Sequence, residues 1–154
     1  MTHQPELAAL AKPFPPALVN KKPGGGGGDY VSHSAVTEKL LATIGPVSTR
    51  IVELIRGPYT YTNRNGDTVT LEACVTGCVL EMTATIDGRT VTVQEAGDVE
   101  RPELWANDGS RAKQAASDAW KRAGMRLGCG LHLWSGEDYR LHAALSRNTE
   151  AGDA

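Results

Sequence analysis

SRAKQAASDAWKRAGMRL, residues 110–127, decides how the chain folds. At about 100° per residue, Ala112, Ala116, Ala119, Ala123 and Leu127 fall within one narrow arc, flanked by Ala115 and Trp120. Alanines carry little bulk, so such a helix brings its backbone close to a neighbouring sheet. Its cap is expected at Asp108 or Ser110, and its stop at Gly128 and Gly130. Arg111, Asp118, Arg122 and Arg126 line an edge beside the packed arc, with Lys113 and Lys121 on the other side. Charge of this kind is most often a solvated face, and Asp118–Arg122 at i,i+4 supports a helix whatever else it does. The sharper reading is a phosphate-binding edge, because guanidinium groups fork onto phosphate oxygens. Neutralising phosphates releases counterions, so such binding is strong at low salt and weak at high salt.

The sheet for this helix lies upstream. Residues 47–61 are rich in β-branched and aromatic side chains and read as a strand interrupted near Gly57-Pro58. Asn63-Arg64-Asn65-Gly66-Asp67 is a turn, and a long strand follows from Thr68 to Ile86. Its apolar phase runs on odd positions (Val69, Leu71, Ala73, Val75) and on even ones (Leu80, Met82, Ala84, Ile86) beyond Gly77. A period-2 strand changes phase only through a bulge, a bend or burial on both faces. Asp87-Gly88 is a hairpin turn into a third strand, Arg89–Ala96, and 97–109 is a loop with one apolar hook, Leu104-Trp105. A first helix is expected over 30–44, capped by Ser32 or Ser34, striped by Val36, Leu40, Leu41 and Ile44, and stopped by Gly45-Pro46. The expected fold is α+β: a helix, a three-stranded antiparallel meander, then the packed helix.

The 154 residues argue for one domain, and 40% apolar with 22% charged residues is ordinary for a globular chain. Residues 1–29 read as an arm. Five prolines disfavour regular helix, Gly24 to Gly28 form a flexible joint, and Leu7, Leu10, Phe14, Leu18 and Val19 offer anchors for a partner surface. Residues 30–140 carry the folded domain and 141–154 a short tail, helical for a turn or two around Leu141 to Leu145. No apolar run is long enough to span a membrane and the N-terminus shows no signal pattern, so the expected location is cytoplasmic. Three cysteines fit reduced thiols better than a disulfide framework. The net charge of -2 does not itself favour a nucleic-acid partner; a DNA site must come from local clustering.

Enzyme chemistry finds little support. The glycine run lacks the Lys-Ser/Thr ending and preceding strand of a phosphate loop. Cys74, Cys78, Cys129 and His132 are zinc-ligand types. Residues four apart on a strand, however, lie about 13 Å apart, too far for bonds of about 2 Å to one ion unless the chain turns sharply at Gly77. Glu95, Asp98 and Glu100 lie near one another as a nuclease would need, but nothing orders them. No nucleophile–base pair is evident and no cofactor is expected. Trp105, Trp120 and Trp134 are stacking types, with packing the plainer role for Trp120 and Trp134.

The segment Gly109–Ala123, with its basic residue, small-residue stretch, Ser117-Asp118, large apolar Trp120 and Lys121-Arg122-Ala123, resembles the signature helix of Rad-fifty-two and Rad-twenty-two type single-strand annealing proteins, including DdrA-like bacterial and phage members. The Gly128-Cys129-Gly130-Leu131 turn, the Tyr30-Val31 entry, the strand-rich middle and the Asp-Gly hairpin occur in that family's order, and the resemblance spans roughly residues 10–140. It implies a β-β-β-α core assembled into a ring or helical filament. In such assemblies single-stranded DNA lies between the helical body and a β-hairpin. It further implies a non-enzymatic DNA recombination and repair protein that anneals strands without ATP, metal or other cofactor. By motif position Lys121 and Arg122 are the leading DNA contacts, followed by Arg126, Lys113, Arg111 and Lys39. Met125 and Ala35 depart from the pattern where members often carry basic residues. The expected partners are single-stranded DNA and further copies of the chain; an exonuclease or single-strand-binding protein remains open. The rival is a self-assembling interaction protein that binds no DNA.

Overall fold

Among the described residues the chain forms five α-helices and two small sheets, more than the two helices and single meander expected. The computed structural model describes residues 4–21 and 28–150, the last three by backbone alone. In chain order the elements are α1 (Pro5–Ala11), β1 (Asn20–Lys21), β2 (Asp29–Tyr30), α2 (His33–Ile44), β3 (Ser48–Thr62), β4 (Thr68–Ile86), β5 (Arg89–Asp98), α3 (Asp108–Arg126), α4 (His132–Ser135) and α5 (Leu141–Glu150). The fold is α+β. β3, β4 and β5 form an antiparallel meander in that order, as the hairpin signals imply. β1 and β2 form a separate antiparallel pair, with Asn20 opposite Tyr30. Tyr30 therefore belongs to a strand where the sequence suggests a helix entry; α2 starts at His33, and the Ser32 hydroxyl caps it by accepting the Ala35 N–H at 3.1 Å. Most of the glycine joint lies outside the described residues. Among the described residues no helix is long and apolar enough to cross a membrane.

β3 runs without interruption through Gly57-Pro58. It is an edge strand, one of the few places in a sheet where proline is accommodated. β4 also runs unbroken through Gly77, and its phase change is met by burial on both faces: Cys74 and Val75 are buried as neighbours, and so are Gly77 and Cys78. Beyond that point Leu80, Met82, Ala84 and Ile86 face inward. The alternate side chains pair with β5 on the other face, Glu81 with Gln94, Thr83 with Thr92 and Thr85 with Thr90.

Packing divides the chain into two compact units, Met1–Ser48 with Thr83–Thr92 and Gly124–Ala154, and Thr49–Met82 with Val93–Ala123. In the first, α1 packs against α2 and α5 where the sequence suggests an arm; Leu10, Ala11 and Phe14 are buried there. The N-terminus of α1 has no cap from its own Gln4. Asp87 of the β4–β5 turn supplies one from 80 residues away, its carboxylate accepting the N–H groups of Glu6 (2.9 Å) and Leu7 (3.2 Å), while Glu6 accepts the Asp87 N–H in return. In the second unit, α3 beds on the sheet through Ala115, Ala119 and Ala123, all fully buried. Gly97 of β5 makes this approach possible: a Cβ there would meet the Ala115 carbonyl oxygen at 2.1 Å and the Ala119 nitrogen at 2.4 Å. The buried row is thus rotated by about 40° from the expected arc, with Ala115 fully buried and Ala112 and Ala116 half-buried.

Candidate nucleic-acid interface

A helix bedded by alanines must turn its long side chains away from the sheet, and α3 does this with its lysines. Relative to the buried row, Lys121 projects roughly opposite and Lys113 to one flank. They stand about 12 Å apart along the axis. Lys113 is exposed and Lys121 half-buried, and neither forms an ion pair among the described residues.

The arginines are more committed. Arg122 Nε donates to Asp118 Oδ2 at 2.9 Å, the i,i+4 pair read from the sequence. Asp118 Oδ2 also accepts the Asp98 N–H at 3.4 Å. The Asp118 hydrogen bond raises the Arg122 pKa, with further contributions from the charges of Asp98 and Glu95. Arg122 therefore sits in a field of carboxylates that opposes an incoming phosphate. Arg111 is a strut: its side chain is 11% exposed and donates to the carbonyls of Pro102 and Trp105 and to Asp108. These bonds hold the loop carrying Leu104, which is 63% exposed. Arg126 is exposed and ends α3. Lys39, in the first unit, donates to the Lys12 carbonyl and lies 4.6 Å from the Phe14 ring centroid. Burial lowers its pKa; Cys129 opposes that shift and Lys12 adds to it. The structure thus leaves Lys113 exposed and Lys121 half-buried, both without an ion pair among the described residues, ties Arg122 to acid, and gives Arg111 and Lys39 structural partners.

Sequence reasoning places the α3 cap at Asp108 or Ser110. The cap is Asn107, whose Oδ1 accepts the Ser110 N–H at 2.9 Å. Asp108 instead joins the sheet to the helix: its carboxylate accepts the Val75 N–H at 3.0 Å and pairs with Arg56 and Arg111. The Val75 N–H and then Arg56 hold its pKa at about 2. Only the fold could reveal this role, because the partners lie 33 and 52 residues away. A stacked pair on β3, Tyr59 and Tyr61 with centroids 6.3 Å apart, was likewise not singled out, although an i,i+2 aromatic repeat on a strand is its sequence signal.

Trp134, expected to pack in the core or between subunits, is 65% exposed in the single chain and so does not belong to its core. Cys74 and Cys78 remain on one continuous strand, so the sharp turn that zinc would need at Gly77 does not occur. Among the described residues no group of three or more His, Cys, Asp or Glu side chains is arranged to hold a metal ion. Compared with known proteins, the chain matches no family model and no curated protein.

Proposed function

We propose that this protein binds single-stranded DNA and anneals complementary strands without ATP, as a cytoplasmic, self-assembling recombination protein of the Rad-fifty-two kind. The observation that carries the reading is the outward pair Lys113 and Lys121 on a helix otherwise bedded into its sheet. Backbone-directed cations do not read sequence, so any strand can bind while its base edges stay open to test a second strand. Stacking in the new duplex, about 1.4 kcal/mol per step, supplies the driving force. Self-assembly is supported by β3, an edge strand on which Ile51, Val52, Leu54 and Ile55 are 39–45% exposed. Consecutive residues of a strand face opposite ways, so apolar surface is open on both its faces. The DNA would be host or phage recombination substrate, with an exonuclease or single-strand-binding protein as a partner class.

The test is annealing of complementary oligonucleotides, with and without protein and without nucleotide. Protein should accelerate it, and strand binding should weaken steeply with salt. Lys121→Glu with Arg122→Glu should abolish both and leave the far-UV spectrum unchanged. Binding that survives in this double variant removes the site.

A second reading, a self-assembling protein that binds no DNA, is favoured by the carboxylates around Arg122 and the apolar exposure of β3. It predicts assemblies visible by microscopy but no mobility shift of an oligonucleotide at low salt.

A further inference from the structure

We infer that α1 and the segment Lys12–Phe14 form a strap over the Gly128–Gly130 turn, held shut by neutral His132 and released when that imidazole takes a second proton. The strap is built from contacts within the first unit. His132 Nε2 accepts the Phe14 N–H at 3.3 Å, and the two rings lie 5.9 Å apart. The Tyr139 hydroxyl donates to the Ala11 carbonyl, Lys39 donates to the Lys12 carbonyl, and His142 Nδ1 bonds the Ala8 carbonyl at 3.2 Å. Glycines make the turn beneath it. A Cβ at Gly128 would meet Leu7 and Ala11, one at Gly130 would meet Phe14, and both residues have positive φ. Cys129 between them is fully buried.

The chemistry of His132 makes the closure conditional. An Nε2 that accepts the Phe14 N–H carries no proton, so the ring's one proton sits on Nδ1. Nδ1 is buried without a hydrogen-bond partner among the described residues. A second proton would set an Nε2–H against the Phe14 N–H, donor against donor, and would place a cation near the Lys39 ammonium. The other titratable groups here are Cys129 and Tyr139, and burial keeps both protonated across the neutral range, Cys129 with a pKa of about 11. Among the described residues, the influences on the His132 charge are burial and Lys39, and neither offsets a second proton. Burial, reinforced by Lys39, lowers the His132 pKa in the closed state. Closure is favoured above the ordinary histidine value of about 6.5 and lost as pH falls below it. The His142 bond is a donation from Nδ1 to the Ala8 carbonyl oxygen, so it does not depend on an unprotonated ring nitrogen facing the strap.

Opening uncovers Cys129 and frees Lys39. The first consequence is independent of any DNA binding. The second, an added cation for phosphate, rests on the annealing reading.

The experiment is reaction of the full chain with dithiodipyridine from pH 7.5 to 5.5. Peptide mass spectrometry assigns the labelled cysteine, and rates are normalised at each pH to the denatured chain. Cys129 labelling should rise as pH falls below 6.5, with a limiting slope of about tenfold per pH unit, while Cys74 and Cys78, buried in the second unit, stay protected. His132→Gln places a neutral amide at the same position, so its labelling should lose the pH dependence. A flat wild-type profile, parallel labelling of all three cysteines, or an unchanged profile in His132→Gln overturns the strap. Should His132→Gln not fold, the wild-type profile with Cys78 as internal reference decides. Oligonucleotide binding plays no part in the readout, so failure of the annealing reading leaves the result interpretable.

Discussion

Replacing Gly97 with alanine adds one methyl group at the closest approach of β5 to α3. The new Cβ would stand 2.1 Å from the Ala115 oxygen, 2.4 Å from the Ala119 nitrogen and 2.9 Å from the Ala119 Cβ. Ordinary contact begins near 3.4 Å, so the helix backbone would have to recede by about 1.3 Å. Two of the three obstructing atoms are main-chain, so no rotamer change relieves the clash. Gly97 is not among the positive-φ residues, so alanine meets no conformational penalty and even restricts the unfolded chain, worth about 0.4–1 kcal/mol in its favour. Overpacking commonly costs about 1–3 kcal/mol. Receding α3 also loosens the contacts of Ala115, Ala119 and Ala123 with the sheet, in an interior that packs at crystal density. The expected net loss is about 2–3 kcal/mol, the upper end of the overpacking range, because main-chain atoms cannot yield by rotamer change. Urea unfolding followed by circular dichroism measures it as a lower midpoint at unchanged slope. A Gly97→Ala protein within about 0.5 kcal/mol of wild type would refute the bedded geometry of α3, and with it the reason Lys113 and Lys121 face outward.

Three further outcomes follow from the same contacts. Gly57→Ala, with no atom within 4 Å of the new Cβ and no positive φ, should be neutral or stabilise by about 0.5–1 kcal/mol in the same urea assay. Asp108 is held at a pKa of about 2 against an ordinary 3.8, so its stabilisation is complete above pH 4 and fades as pH falls toward 2. Asp108→Asn should lower the neutral-pH midpoint and flatten this acid limb; an unchanged limb rejects the assignment. Asp118→Asn removes a carboxylate beside Arg122 and should tighten single-strand binding, steepening the log–log salt slope by up to about 0.7. Weaker binding in that variant would count against a DNA face on α3.

Local pattern was enough to read the meander, its two turns and the alanine helix, because each depends on residues close in sequence: Asn63 to Asp67, Asp87-Gly88, and the four-residue repeat of alanines. What the pattern missed depends on partners far apart. The prolines in the first 16 residues argue against helix, yet Pro5 is compatible with the first turn of α1, and Asp87 provides the cap that its own sequence lacks. Tyr30 entered a strand because Asn20 is there to pair with it. At the candidate interface, sequence identified the cations but not their engagements. Arg111 and Lys39 are spent on carbonyl groups at Pro102, Trp105 and Lys12, which no helical wheel displays.

Those engagements rank the cations, and the ranking can be tested residue by residue. Motif position alone makes Lys121 and Arg122 equivalent. The structure separates them: Lys121 projects opposite the buried row with no ion pair among the described residues, whereas Arg122 is bonded to Asp118 with Glu95 and Asp98 adding to the local negative field. A charge already offset by a neighbour displaces fewer counterions from DNA, so it contributes less to the salt slope. Lys121→Ala should therefore lower the slope of log Kd against log salt by about 0.7, and Arg122→Ala by clearly less. Lys113→Ala should resemble Lys121→Ala, and Arg111→Ala should act on stability more than on binding, because it releases the loop held at Pro102 and Trp105. Fluorescence anisotropy titrations of a labelled oligonucleotide at four or five salt concentrations measure each slope. If Arg122→Ala instead produced the largest loss, its ion pair would have to open on binding, and the lysine face of α3 would no longer be the site.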